Sequence, residues 1–158
     1  MIAVDLRAAM PSDAERLFGI QRDASLAAFG HIFPPAEYPY PDDAIRAEWD
    51  ARLVDGVTET LIGEGHGRPV GFVSYRPGQL VSLFVLRDHQ GSGVGSILHD
   101  AALAAHRDLG AAACRLWVLE ANEEARAFYE RRGWRPDGRG QTAPYAPFPQ
   151  EVGYTIEL

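Results

Sequence analysis

The stretch Leu83-Phe84-Val85-Leu86-Arg87-Asp88-His89-Gln90-Gly91-Ser92-Gly93-Val94-Gly95-Ser96-Ile97-Leu98 decides the reading of this chain. Leu80–Leu86 is strongly apolar and predicts a buried strand. Val94–Leu109 reads as a helix, with Val94, Ile97, Leu98, Ala101 and Ala105 on one face and Gly110 as its stop. Between them, Gly91, Gly93 and Gly95 let the main chain approach a ligand closely, because no Cβ intervenes. The turn's N–H groups and the helix N-terminus together form an anion site that suits a pyrophosphate. A plain tight turn is the alternative, but three alternating glycines raise the entropy lost on folding and would bring nothing in return.

Three phosphate-binding patterns compete for this turn. A Walker A loop needs Gly-Lys-Ser/Thr, and the chain contains no lysine. A dinucleotide fingerprint needs Gly-x-Gly-x-x-Gly in a first-strand position, whereas the glycines here are at 91, 93 and 95. The third pattern, Gln/Arg-x-x-Gly-x-Gly/Ala, is matched by Gln90-Gly91-Ser92-Gly93-Val94-Gly95.

Outward from this core the elements follow from periodicity and punctuation. Ile2–Arg7 alternates like an edge strand. Ser12, with Glu15 three residues on, predicts the cap of a helix that runs to about Phe29. His31–Asp42 carries Pro34, Pro35, Pro39 and Pro41, a density that forbids a regular element. A second helix is expected over Asp42–Val54. Glu59–Glu64 and Arg68–Tyr75 flank Gly65-His66-Gly67 as a hairpin, and Pro77-Gly78 is another turn. Arg115–Leu119 reads as a strand, Asn122–Arg132 as a helix closed by Gly133, and Trp134 as the start of a further strand or turn. Arg139–Gln150 reads as a loop and Val152–Leu158 as a closing strand. The order is β-α-α-β-β-β-α-β-α-β-β, without an internal repeat or a dividing linker, and 158 residues fit one domain.

Composition narrows the function classes. No apolar run approaches the ~18 residues of a membrane span, so no membrane partner is expected. Met1-Ile2-Ala3-Val4-Asp5 does not look like a signal peptide. The net charge of −7 disfavours nucleic acid and weakly favours a cationic or amine substrate. Cys114 is the one cysteine; it excludes an intramolecular disulfide, fits a reducing, cytoplasmic location and reads as a small buried residue. His31, His66, His89, His99 and His106 lack metal-ligand spacing and read as surface residues, His99 and His106 on an exposed helix face, so no metal is expected.

The glycine turn, the strand before it, Leu119-Glu120-Ala121-Asn122 and Ala127-Phe128-Tyr129-Glu130-Arg131-Arg132-Gly133-Trp134 resemble the GNAT (GCN5-related N-acetyltransferase) family, with Trp134 in place of the usual phenylalanine. The resemblance is motif-specific over about Gln79–Trp134 and covers the whole order of elements. It implies an α/β fold with a mixed, mostly antiparallel sheet, helices on both faces, and strands Leu80–Leu86 and Arg115–Leu119 parallel and splayed around coenzyme A. It implies acetyl-CoA as co-substrate. The amides of Gln90, Gly91, Ser92, Gly93, Val94, Gly95 and Ser96 would hold the pyrophosphate. Leu83, Phe84 and Val85 would line the thioester arm, with Val85 main chain pairing to pantetheine and the Leu83 amide stabilising the oxyanion. Asn122 would contact pantetheine, and Tyr129 would protonate the departing thiolate. From the residues alone, Asn122 also reads as a helix cap and Tyr129 as a core aromatic beside Phe128.

The acceptor side is less determined. Where family members often carry a glutamate, four residues before Leu83, this chain has Gln79, which cannot take a proton. Glu37, Asp42, Asp43 and Ser82 acting through water remain as alternatives, as does no base at all. Gln79 on the central strand and Phe33, Tyr38 and Tyr145 in stiff aromatic loops are candidate acceptor contacts, and those loops suit a flat, apolar or cationic small-molecule amine. A transferase acting on a protein N-terminus or lysine, and a non-catalytic CoA-binding regulatory domain, are the alternatives. An apolar patch on the closing strand would support a homodimer.

Overall fold

The computed structural model describes residues 3–158. The chain forms β1 (Val4–Ala8), α1 (Ala14–Phe29), α2 (Asp42–Arg52), β2 (Glu59–Gly65), β3 (Arg68–Arg76), β4 (Gln79–Val85), α3 (Val94–Asp108), β5 (Ala113–Leu119), α4 (Glu123–Arg131), β6 (Arg135–Thr142) and β7 (Gln150–Glu157). The strands make one seven-stranded sheet in the order β1-β2-β3-β4-β5-β7-β6. All neighbours are antiparallel except β4 and β5. The mixed, mostly antiparallel sheet with one parallel pair is the fold that the resemblance implied.

Helices cover both faces, and each face has its own core. On one side Leu17, Phe18 and Ile20 of α1 and Ile45 and Trp49 of α2 pack on Ile62 and Phe72. On the other, Val94, Leu98, Ala102 and Leu103 of α3 and Tyr129 of α4 pack on Val70, Val73, Leu80, Leu116 and Tyr154. Strand alternation explains the division: Phe72 and Val73 are sequence neighbours and point to opposite faces.

Several expectations need correction. Ser12 does not cap α1: a short turn of 3-10 helix occupies Pro11–Asp13, and Asp13 Oδ2 accepts from the Met10 amide at 2.8 Å instead. Asp13 is also gripped by both terminal nitrogens of Arg7 at 2.8 Å, so burial of the carboxylate is compensated. His99 and His106 are buried, each 2 % exposed, not on a solvent face. Their ring nitrogens are satisfied there. Trp134 Nε1–H donates to His99 Nε2 at 2.9 Å, and the His106 nitrogens lie 2.8 Å from Ala102 O and 3.0 Å from Arg76 O. The indole donor makes Nε2 of His99 an acceptor and leaves its proton on Nδ1, toward Asp100 at 2.9 Å. β6 runs to Thr142, into the span expected to be loop. Of the apolar residues of β7, Tyr154 is buried in the α3/α4 core and Val152 and Ile156 are partly buried against it. Ile2, expected in the first strand, lies outside the described residues. Among the described residues no helix is long and apolar enough to cross a membrane.

Candidate active site

The site begins with a fault in β4. Its pairing to β3 shifts register, with Ser74 opposite Ser82 but Tyr75 opposite Leu80, so Val81 is an extra residue. Such a bulge bends its strand. β4 and β5 pair in register only at Gln79 and Arg115, and beyond that point the strands diverge toward Val85 and Leu119. A cleft of roughly 1060 Å³ lies along the splay, large enough for an extended cofactor.

The glycine turn closes the wide end of the cleft. The first bond of α3 runs from the Ile97 amide to Gly93 O at 3.1 Å. Among the described residues no amide from Gly91 to Ser96 donates to a backbone carbonyl. Gly93 sits at the helix start with φ 92°, a conformation a side-chain-bearing residue rarely adopts. Gly95 is wedged against Phe128, whose ring lies 3.4 Å from where a Cβ would stand. The result is a fan of free N–H groups at the positive end of a fifteen-residue helix. Gln90, Gly91, Gly93, Gly95 and Ser96 all line the cleft, while Val94 is buried beneath the turn and the Ser92 hydroxyl bonds to His89 O.

Of the strand residues, Leu83, Phe84 and Val85 line the cleft. The carbonyl of Val85 currently accepts from Gln90 Nε2 at 3.1 Å, so a cofactor pairing with that carbonyl displaces the Gln90 side chain. Asn122 lines the opposite wall and caps α4, its Oδ1 accepting from the Ala125 amide at 3.2 Å. The cap reading of Asn122 is thus observed, and the cap leaves the residue in the cleft wall. Tyr129 also lines the cleft and is only 7 % exposed, packed edge-on against Phe128 and Trp134 at 5.3 and 5.7 Å between ring centroids. Burial pushes its phenol well above the usual range, with Arg132 pulling weakly the other way, so the hydroxyl stays protonated.

The acceptor candidates are less well gathered. Gln79 sits at the closed end of the splay and lines a separate hollow of roughly 220 Å³ with Arg115 and Trp117. Phe33 and Tyr38 are half-buried in the α1–α2 loop and do not line the cleft. Tyr145 reaches back to α2, where its hydroxyl donates to Glu48 Oε1. The aromatic side chains that do line that part of the cleft are Phe29 and Phe84, 6.4 Å apart, and Trp117. Among the proposed bases, Ser82 lines the cleft, whereas Glu37, Asp42 and Asp43 do not. Cys114 is fully buried, and burial pushes its thiol to about 11, which removes it as a nucleophile.

Two residues of the cleft went unseen in the sequence. Arg132 donates to Ser96 Oγ and to Phe128 O at 2.9 Å, and its guanidinium stacks 3.5 Å over the Phe128 ring, which fixes a full positive charge beside the amide fan. Glu151 enters from β7, its Oε1 accepting from Gln141 at 2.9 Å. Arg132 could have been suspected from its place one turn after Phe128; Glu151 could not, since its position depends on the β5–β7 register, where it faces Leu119.

Residues 14–134 match the pattern of the acetyltransferase (GNAT) family. This chain belongs to that family. It is 31% identical over 110 residues to a probable N-acetyltransferase of Mycobacterium tuberculosis, a match that covers 65% of this chain and 56% of the relative. It is 34% identical over 94 residues to a mycothiol acetyltransferase of Propionibacterium freudenreichii subsp. shermanii, covering 60% of this chain and 28% of that protein. The chain thus spans about half the length of the first relative and less of the second. Among solved structures, a GCN5-related N-acetyltransferase from Rhodopseudomonas palustris superposes with a TM-score of 0.83 at 24% identity, covering 100% of this chain and 98% of the other. PaiA N-acetyltransferase from Thermoplasma acidophilum, in complex with coenzyme A, gives 0.77 at 16% identity, covering 99% and 100%. These likenesses concern the fold.

Proposed function

We propose that this chain is an acetyl-CoA-dependent N-acetyltransferase acting on the amine of a small molecule. The observation that carries the reading is the fan of unpaired amides from Gly91 to Ser96, opening on a cleft between splayed strands. The fan and Arg132 suit the pyrophosphate, and the length of the cleft suits the pantetheine arm. The coenzyme A held by the PaiA neighbour is the ligand we extend to this chain. The relative named a mycothiol acetyltransferase supports a small-molecule acceptor over a protein.

The chemistry is a single displacement. The amine nitrogen lone pair attacks the thioester carbonyl carbon, the C–N bond forms, and the C–S bond breaks. The Leu83 amide donates to the developing oxyanion. The Tyr129 hydroxyl donates to the departing sulfur, and the proton lost by the amine balances the thiolate. We treat the chain as one catalytic domain and place the reaction in the cytoplasm, where a buried free thiol such as Cys114 persists.

Calorimetric titration of acetyl-CoA into the wild type and Gly93→Glu tests the reading. Glutamate at Gly93 is strained by the φ of 92° and sets a carboxylate among the amides meant for the pyrophosphate. Binding by the wild type and a loss of at least ~100-fold in the variant are expected. A wild type that does not bind acetyl-CoA refutes the proposal, and binding without acetylation of any amine leaves a regulatory CoA-binding domain.

A further inference from the structure

On the α1/α2 face of the sheet, Arg52 reaches a residue of the cleft wall without a carboxylate of its own. Arg52, the last residue of α2, stacks 4.5 Å over the Trp49 ring and donates from Nη1 to Ser82 Oγ at 3.2 Å. Ser82 is part of the cleft wall. Among the described residues no carboxylate lies within 4.0 Å of either the Arg52 or the Arg76 guanidinium. Arg76 Nε is buried and has no hydrogen-bond partner.

The acidic neighbours are otherwise engaged. Asp55 Oδ1 accepts the amides of Val57 and Thr58 at 2.8 and 2.7 Å, and its Oδ2 accepts the Thr58 hydroxyl at 2.7 Å. Glu48 Oε1 accepts the Tyr145 hydroxyl. Burial lowers the Arg52 pKa, and the like charge of Arg76 adds to that effect, against the partial relief from Glu48 and Asp55. A largely buried guanidinium with no paired anion costs free energy unless a ligand supplies the counter-charge.

Resting on the transferase reading above, we propose that Arg52, with Ser82 beside it, recognises a carboxylate on the acceptor, so that the substrate is an amino carboxylate. Ser82 precedes Leu83, the residue whose amide faces the reacting carbonyl in the proposed reaction. Consecutive Cα atoms are only ~3.8 Å apart. The carboxylate therefore belongs within a few bonds of the attacking amine, as in an amino acid. Phe29 and Phe84, 6.4 Å apart in the same wall, offer an apolar surface for the side chain of that amino acid.

The test pairs each of a set of L-amino acids with its carboxamide and its decarboxylated amine. Acetylation is followed by thiol release from acetyl-CoA in the wild type, Arg52→Gln and Arg52→Lys, and acetyl-CoA binding is measured for each protein by calorimetry. The wild type is expected to prefer an acid over its amide by at least ~10-fold in kcat/KM. Arg52→Gln should lower kcat/KM for the acid by ~30-fold or more, through KM, and leave both the amide rate and acetyl-CoA affinity within twofold. Arg52→Lys, which keeps the charge and loses the fork, should fall between. Amides used as well as acids, an equal loss for both in Arg52→Gln, or acetyl-CoA binding without turnover of any amino carboxylate overturns the proposal. Failure of the wild type to bind acetyl-CoA is the separate outcome that removes the transferase reading itself.

Discussion

Replacing Tyr129 by phenylalanine removes one oxygen from the cleft and little else. The ring keeps its edge-on contacts with Phe128 and Trp134 at 5.3 and 5.7 Å. Among the described residues the hydroxyl makes no hydrogen bond to protein, so its loss orphans no partner, and the melting temperature should stay within ~2 °C of the wild type. Burial raises the phenol pKa above its ordinary ~10, whereas a thiol titrates near ~8.5. Complete proton transfer from Tyr129 to the leaving thiolate is thus uphill by more than ~1.5 pK units, or about 2 kcal/mol. The hydroxyl acts better as a hydrogen-bond donor to charge developing on sulfur. A hydrogen bond to a charged group is worth about 1.5–3 kcal/mol. The loss in kcat should therefore be about 10- to 150-fold.

Because that bond strengthens only as the C–S bond breaks, KM for acetyl-CoA should change little. The shape of the pH–rate profile from about pH 6 to about pH 9 should also survive, since the phenol is neutral throughout that range. Steady-state kinetics with acetyl-CoA and any accepted amine would decide the matter. A kcat within twofold of the wild type, or a loss carried wholly by KM, would falsify the role given to Tyr129 and return it to the core.

Two further predictions follow from charged groups. The Arg7 guanidinium and the Met10 amide hold Asp13 down at about 2, so its stabilisation is present above the ordinary carboxylate range and is lost as pH falls from about 4 through about 2. Asp13→Asn should cost about 2 kcal/mol near neutral pH, or about 4–8 °C, and flatten thermal stability across that acid window, as thermal melts would report. Arg132→Gln should weaken acetyl-CoA binding by about 10-fold and reduce its salt dependence, measured by titration at low and high ionic strength; equal salt slopes would separate Arg132 from the phosphates.

The glycine turn and its unpaired amides were legible because they are written in main chain. A turn that must present N–H groups at close range requires glycine, and glycine shows in a sequence. Strand Leu80–Leu86 and the helix after Gly93 were likewise visible as an apolar run and an apolar stripe. The phase of that stripe was off, since Ile97, Ala101 and Ala105 are only partly covered while His99 and His106 are buried. Histidine carries no marker of burial; here the indole of Trp134 and the carbonyls of Ala102 and Arg76 supply partners from distant segments. The bulge at Val81 was equally hidden, because one extra residue in an apolar strand leaves the pattern apolar.

The acceptor half was poorly legible for a related reason. The contacts proposed for it are side chains whose meeting depends on register and packing across the whole chain. Tyr145 looked like an acceptor contact for being aromatic in a stiff loop, and instead it fastens the β6–β7 loop to Glu48 on α2. That contact helps occupy the one carboxylate on α2 placed four residues before Arg52, the helical spacing at which the two would otherwise pair. A change at Tyr145 therefore acts on Arg52 through Glu48. If Tyr145→Phe frees Glu48 to turn toward Arg52, an internal carboxylate competes with the one we assign to the substrate, and KM for an amino acid rises while KM for its amide does not. On that outcome, the loop that looked like a wall of the acceptor site would set the charge of the proposed carboxylate site at one remove.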